Sequence, residues 1–132
     1  MVLLSVVVSS GVGVGAAVPA QAADINFPGV ANALNLWDDT DYRDTRKVFV
    51  ANDDELHGNG FNDKTSAVVN KTDDYWLLFD DINYRDRAMC VAPHSHYPRL
   101  ANAGFNDKTS SVARMWSTPT ACQGWPLIGS AN

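Results

Sequence analysis

Gly60-Phe61-Asn62-Asp63-Lys64-Thr65-Ser66 returns 44 residues later as Gly104-Phe105-Asn106-Asp107-Lys108-Thr109-Ser110, the same seven residues in the same order. Upstream, Leu36-Trp37-Asp38-Asp39-Thr40-Asp41-Tyr42-Arg43-Asp44 is answered by Leu78-Phe79-Asp80-Asp81-Ile82-Asn83-Tyr84-Arg85-Asp86, 42 residues behind, so the second copy has gained two residues in its middle. A period of this size marks a duplicated supersecondary unit that buries its apolar face against its twin.

Within each copy the apolar residues alternate or run in short groups, bounded by Gly, Pro, Asn and Asp. The first copy reads as short strands at Leu34–Trp37, Lys47–Val50 and Ala67–Val69, with an acidic turn at Asp38–Asp41. The second reads as strands at Tyr75–Phe79, Ala88–Val91 and Ser111–Trp116, an acidic turn at Asp80–Asn83, and a loop from Pro93 to Gly104. No window keeps helical periodicity over three turns, so the pattern predicts an all-β sandwich.

With 132 residues the chain has room for one domain with a real core. Met1–Ala22 carries no charge, has an apolar run after Met1 and ends in Ala20-Gln21-Ala22, which predicts a secretory signal with a small-residue cleavage site. Gly11, Gly13, Gly15 and Pro19 leave too little unbroken apolar length to span a membrane core of about 30 Å. Residues 23–33 then form a lead-in, 34–116 the duplicated domain with copies at about 34–72 and 73–116, and 117–132 a tail. In an exported domain, two cysteines imply a disulfide between Cys90 and Cys122, the alternative being two separate thiols. It would fasten the tail to the second copy and, closing a loop of this length, stabilise by roughly 3 to 4 kcal/mol.

The formal net charge of −5 argues against a nucleic-acid partner, which requires clustered Lys and Arg. It leaves carboxylates free for a hard cation. Each heptapeptide gathers an Asn, an Asp, turn carbonyls and hydroxyls, a set of oxygens suited to calcium rather than to zinc or copper. A single copy would read as a plain Asx or Ser/Thr turn. Two copies, each with its own upstream Asp-Asp turn, favour an ion site. His94 and His96 could put two imidazoles on one face of an extended segment, but they lack a third ligand nearby. No nucleophile with an arguable base and orienting acid is present, so the sequence predicts a non-enzymatic protein.

Asn106-Asp107-Lys108-Thr109-Ser110-Ser111 resembles the calcium signature of microbial βγ-crystallins, an Asn/Asp pair, two free positions, then Ser/Thr and Ser. Asn62–Ala67 matches it except at the last place, and Phe79-Asp80-Asp81-Ile82-Asn83-Tyr84-Arg85 resembles the opening hairpin of a crystallin Greek key. The likeness covers about Ala33 to Trp116. It implies two Greek keys folded as two packed four-stranded sheets, holding up to two Ca²⁺ ions in crossed clamps, and the protein is expected as a monomer. One clamp would use the Lys64 carbonyl, the Ser66 hydroxyl, the Asp107 carboxylate and a carbonyl near Asp38. The other would use the Lys108 carbonyl, the Ser110 hydroxyl, the Asp63 carboxylate and a carbonyl near Asp80. One carboxylate per ion implies dissociation constants of about 10⁻⁶ to 10⁻⁴ M. Ala67 would cost the first turn a hydroxyl, and Asp44 and Asp86 stand where the family has a left-handed glycine.

The Phe-Asn-Asp-Lys-Thr-Ser-Ser stretch also resembles a family of secreted metalloproteinase inhibitors on the same fold. That likeness implies a protease as partner and makes the segment His94–Ala103 the candidate inhibitory loop. A cell-wall-active or antifungal toxin is a further alternative, for which no residue of the sequence speaks. In every case the mature protein is expected outside the cell and off the membrane.

Overall fold

The computed structural model describes residues 27–115 and 120–129. The signal-peptide reading of Met1–Ala22 and the end of the last expected strand at Trp116 lie outside these residues. The described chain is all β, with short 3₁₀ turns and no α-helix. Strands β1 (Leu34–Asp39), β2 (Arg43–Phe49), β3 (Ala67–Asn70) and β6 (Ser95–Tyr97) form one sheet in the order β2-β1-β3-β6. Strands β4 (Trp76–Asp81), β5 (Arg85–Val91), β7 (Ser111–Arg114) and β8 (Leu127–Ile128) form the other in the order β7-β4-β5-β8.

The opening hairpin of each copy turns on the same chemistry. Asp39 Oδ1 accepts the Thr40 N–H at 2.7 Å and Asp81 Oδ1 accepts the Ile82 N–H at 2.8 Å, starting a 3₁₀ turn in both places. The chain then passes through left-handed residues at Asp41, Tyr42 and Asp44 (φ 57°, 61° and 67°), repeated at Asn83, Tyr84 and Asp86 (58°, 58° and 67°). Asp44 and Asp86 thus adopt the conformation for which glycine is usual, at a cost of about 1 kcal/mol each. Asp is among the few residues whose short polar side chain tolerates it.

The two copies exchange their third strands. The second copy's β6 leaves its own sheet and pairs with β3, matching Val68 to Tyr97 and Val69 to His96. In return Asp53 bridges Val112, with both N–H···O contacts at 2.9 Å. The segment 93–104, read as a loop from its prolines, therefore holds a strand and a 3₁₀ turn at Leu100–Ala103. Exchange is what makes one core of two units. Leu34, Leu36, Phe49, Leu56, Phe61 and Val68 interleave with their twins Trp76, Leu78, Val91, Leu100, Phe105 and Val112 in a single buried cluster. At about 1.5 to 3 kcal/mol per fully buried large side chain, this shared cluster is the main driving force for holding the copies together.

Each sheet's outer face is covered by a different end of the described chain. Over the first sheet lies the segment from Phe27, fixed by the buried Asn35, whose side chain accepts the Val30 N–H at 2.8 Å and donates to the Val30 carbonyl at 3.1 Å. The expected disulfide is present over the second sheet, joining Cys90 to Cys122. It brings Trp125 onto Leu77, Phe79, Ala88 and Ala113, and β8 runs parallel to β5.

Candidate functional site

The repeated turns face each other across the joint between the copies. In each, the Asp is left-handed (φ 55° at both Asp63 and Asp107), which turns its N–H toward the opposite copy. The Asp63 N–H donates to the Thr109 carbonyl at 3.0 Å and the Asp107 N–H donates to the Thr65 carbonyl at 2.9 Å. These reciprocal bonds set the register of everything else.

Three oxygens converge at each end of this joint. The buried Ser66 Oγ lies 3.0 Å from the Asp38 carbonyl oxygen and 3.3 Å from Asp107 Oδ1. Its twin, Ser110 Oγ, lies 3.1 Å from the Asp80 carbonyl oxygen and 3.0 Å from Asp63 Oδ1. A hydroxyl has one proton and can satisfy only one of its two acceptors at a time. Each cluster is therefore rich in lone pairs and poor in protons, the electrostatic setting that a hard cation relieves. Lys64 and Lys108 occupy the same turns with exposed side chains, and among the described residues nothing donates to either carbonyl. The Thr65 and Thr109 hydroxyls, wholly buried beside them, and Asn62 Oδ1 also have no hydrogen-bond partner among the described residues. The donor set thus fits an oxygen-ligated ion such as calcium.

The two clusters differ in their surroundings. Arg87 donates from Nε to Asp80 Oδ2 at 3.0 Å and from Nη2 to the Gly104 carbonyl at 3.0 Å, placing a cation beside the Ser110 cluster. At the corresponding place in the first copy stands Thr45, whose backbone N–H donates to Asp38 Oδ1 at 3.1 Å. Ser111, the residue that Ala67 replaces, directs its hydroxyl elsewhere. It donates to the Asp81 carbonyl at 2.7 Å and accepts the Tyr84 N–H at 3.1 Å, bracing the neighbouring hairpin.

The histidines are engaged separately. His94 pairs with Asp73, while His96 Nδ1 lies 2.8 Å from the Tyr42 hydroxyl with the Phe27 ring stacked on it at 3.8 Å. Burial lowers the His96 pKa. Burial, and then the Asp41 carboxylate, push the Tyr42 phenol up to about 12. The segment His94–Ala103 is pinned as well, because Leu100 is fully buried and its N–H donates to the Ser66 carbonyl at 2.9 Å. Arg99, Ala101 and Asn102 within it stay exposed, so it is a held segment with an accessible face. Sequence reasoning missed the pairing of His96 with Tyr42, since only the strand exchange brings together residues so far apart in the chain.

Two Greek keys that exchange a strand and meet through crossed polar turns define a βγ-crystallin-type domain. The solved structures it resembles are of that kind. A βγ-crystallin from Ciona intestinalis has a TM-score of 0.58 at 24% identity, covering 62% of this chain and 98% of that one. A βγ-crystallin domain from Clostridium beijerinckii, solved as a double mutant, gives 0.55 at 22% identity over 65% and 98% of the two chains. IPSE/alpha-1 from Schistosoma mansoni eggs gives 0.57 at 22% identity over 70% and 93%. Residues 28–91 match the model of peptidase inhibitor family I36, a span from the lead-in to the end of β5. No curated protein matches the sequence significantly.

Proposed function

We propose that the protein is a secreted, non-catalytic inhibitor of peptidases built on a βγ-crystallin-type scaffold. The observation that carries this reading is the correspondence of residues 28–91 with the peptidase inhibitor family. The architecture supports it, since a protein offered to a protease must resist local opening, and this one is braced by a shared core, a disulfide and crossed turns. A related solved structure is titled an IgE-binding crystallin, so this fold carries protein recognition in at least one other molecule. The test is hydrolysis by a thermolysin-like metallopeptidase and by serine peptidases in the presence of the purified protein. Saturable slowing at micromolar protein is expected for one class. Undiminished turnover in both classes rejects the reading.

A second reading rests on the convergence of Ser66 with Asp107 and the Asp38 carbonyl, and of Ser110 with Asp63 and the Asp80 carbonyl. In it, up to two calcium ions occupy these clusters and tie the copies together. With dissociation constants of about 10 to 100 μM and about 1 mM calcium, mass action stabilises the fold by roughly 1.4 to 2.7 kcal/mol per ion. A thermal midpoint unchanged between calcium and chelator removes it.

A further inference from the structure

The first sheet ends in β2 and the second, on the matching side, ends in β8, because the tail has added a strand outside β5. That addition shows which backbone groups this fold turns outward. The Cys90 N–H donates to the Pro126 carbonyl at 2.8 Å and the Ala92 N–H donates to the Ile128 carbonyl at 3.2 Å. The residues in the same places of the first copy are Val48 and Val50. By the alternation of an antiparallel ladder, Arg46 faces outward as they do. None of these three N–H groups has a partner among the described residues. Val48 and Val50 are also 39% and 63% exposed, whereas Cys90 is fully buried.

The side chains along this edge say what would pair with it. Arg43, Arg46 and Lys47 make the strand itself basic on a chain of net charge −5, with Asp44 on the strand and Asp39, 3.8 Å from Arg43, as the acidic groups beside them. Arg46 and Lys47 have no ion-pair or hydrogen-bond partner among the described residues. A second copy adding β2 to β2 would bring these cations against themselves, and like charges across a ladder destabilise it. An extended segment bearing carboxylates meets no such penalty. It gains charge-assisted contacts at the Arg43–Lys47 end and apolar contact at Val48 and Val50.

We propose that the open edge of β2 is a docking site for an extended, acidic segment of a partner protein, which adds to the first sheet as β8 adds to the second. The strand runs parallel to β2, with carboxylates beside Arg43, Arg46 and Lys47 and apolar side chains beside Val48 and Val50. Backbone pairing gives the attachment and the side chains give the choice of partner. The proposal goes beyond the inhibitor reading and does not rest on it.

The probe is an acetylated synthetic peptide in which alternating glutamates precede the Pro-Leu-Ile-Gly of β8, compared with the same peptide carrying lysines. Amide chemical shifts and hydrogen exchange of the full chain are followed during titration. Saturable perturbation and slowed exchange at Val48 and Val50 are expected with the glutamate peptide, and binding about tenfold weaker with the lysine peptide, equivalent to two or three exposed ion pairs. Val48→Pro removes an outward N–H that the fold itself does not use, so the thermal midpoint should hold while peptide binding is lost. The double variant Arg46→Glu/Lys47→Glu should invert the preference. Equal binding of both peptides, binding that survives Val48→Pro in a folded protein, or Val48 and Val50 amides already protected in the free protein by its own N-terminal segment or a second copy would each overturn the proposal. Peptidase inhibition measured on the same variants separates the two readings, since loss of one with retention of the other assigns the failure.

Discussion

The two copies differ least where they meet and most where they face outward. Seven identical residues give the joint the same backbone on both sides, with φ of 77° and 69° at Gly60 and Gly104 and 55° at both Asp63 and Asp107. At the perimeter the first sheet keeps a bare edge and takes an aromatic cover from Phe27, while the second is closed by β8 and a disulfide. A duplicated unit thus retains the sequence that its partner needs to fold. The faces that meet only water or a chain end are free to diverge.

The largest effects should appear in the shared core, where the copies ought to behave alike. Phe61→Ala and Phe105→Ala each empty a site that is at most 1% exposed, and each should cost about 3 to 5 kcal/mol in urea unfolding. The Phe105 variant should lose slightly more, by about 0.5 kcal/mol, because the Arg87 guanidinium lies over that ring at 5.2 Å. A large difference between the two would break the symmetry of the core.

Next comes the perimeter, where the copies should differ. Opening the 32-residue loop by Cys122→Ser should cost roughly 3 to 4 kcal/mol on the chain-entropy account. It should also loosen β8, so that the Cys90 and Ala92 amides exchange as fast as those of Val48 and Val50. If they stay protected, β8 holds without its covalent fastening and the two edges differ for another reason.

Much of this was legible in the sequence, for reasons that differ by element. The paired hairpins and the core positions follow from a period-two pattern written twice, since Leu34 and Leu36 are checked by Trp76 and Leu78. The disulfide followed from the presence of two cysteines in a chain whose first residues read as an export signal. The exchanged strands were hidden. Ser95–Tyr97 is only three residues long between Pro93 and Pro98, and Asp53 contributes a single bridge, so neither makes a periodic signal. The lead-in appeared aperiodic because Phe27 and Val30 are held by a side chain, Asn35, and by rings of distant residues, not by a ladder. As for the crossed turns, their composition advertises oxygen ligands, but only the family likeness told which turn lies opposite which.

The crossed clusters should be alike in kind and unequal in strength. In the calcium reading, Ser66→Ala and Ser110→Ala should each remove about 1.4 to 2.7 kcal/mol of calcium-dependent stabilisation at about 1 mM ion, read as the difference between midpoints in calcium and in chelator. Asp107→Ala should act on the same ion as Ser66→Ala, and Asp63→Ala on the same ion as Ser110→Ala. Because Arg87 pairs with Asp80 beside the Ser110 cluster, the site left intact in Ser110→Ala should titrate more tightly than the one left intact in Ser66→Ala. Equal affinities would mean that the guanidinium is screened out of the balance.

The smallest effect concerns a place where the copies have no common chemistry. His96 lies opposite Val69 in the first sheet, and the corresponding position opposite Ala113 is taken by Asn52, whose side chain accepts the Arg114 N–H at 2.7 Å and cannot titrate. Burial holds the folded His96 pKa below its ordinary 6.5, so the unfolded chain binds the proton more readily. Stability from the neutral ring is therefore fully present above about pH 6.5 and declines as the pH falls from there through the folded pKa. The ring's contacts make the same point structurally, since Phe27 stacks on it and the Tyr42 hydroxyl reaches Nδ1, an arrangement that offers no carboxylate to a second proton. Thermal midpoints between pH 8 and 5 for the wild type and for His96→Gln, which keeps a polar group toward Tyr42, isolate this contribution because every other residue is the same in both. The wild type should lose more stability on acidification than the variant, and the loss should be accompanied by faster exchange near Phe27 but not near Asn52. Parallel profiles would show that the aromatic cover of the first sheet does not depend on an uncharged imidazole.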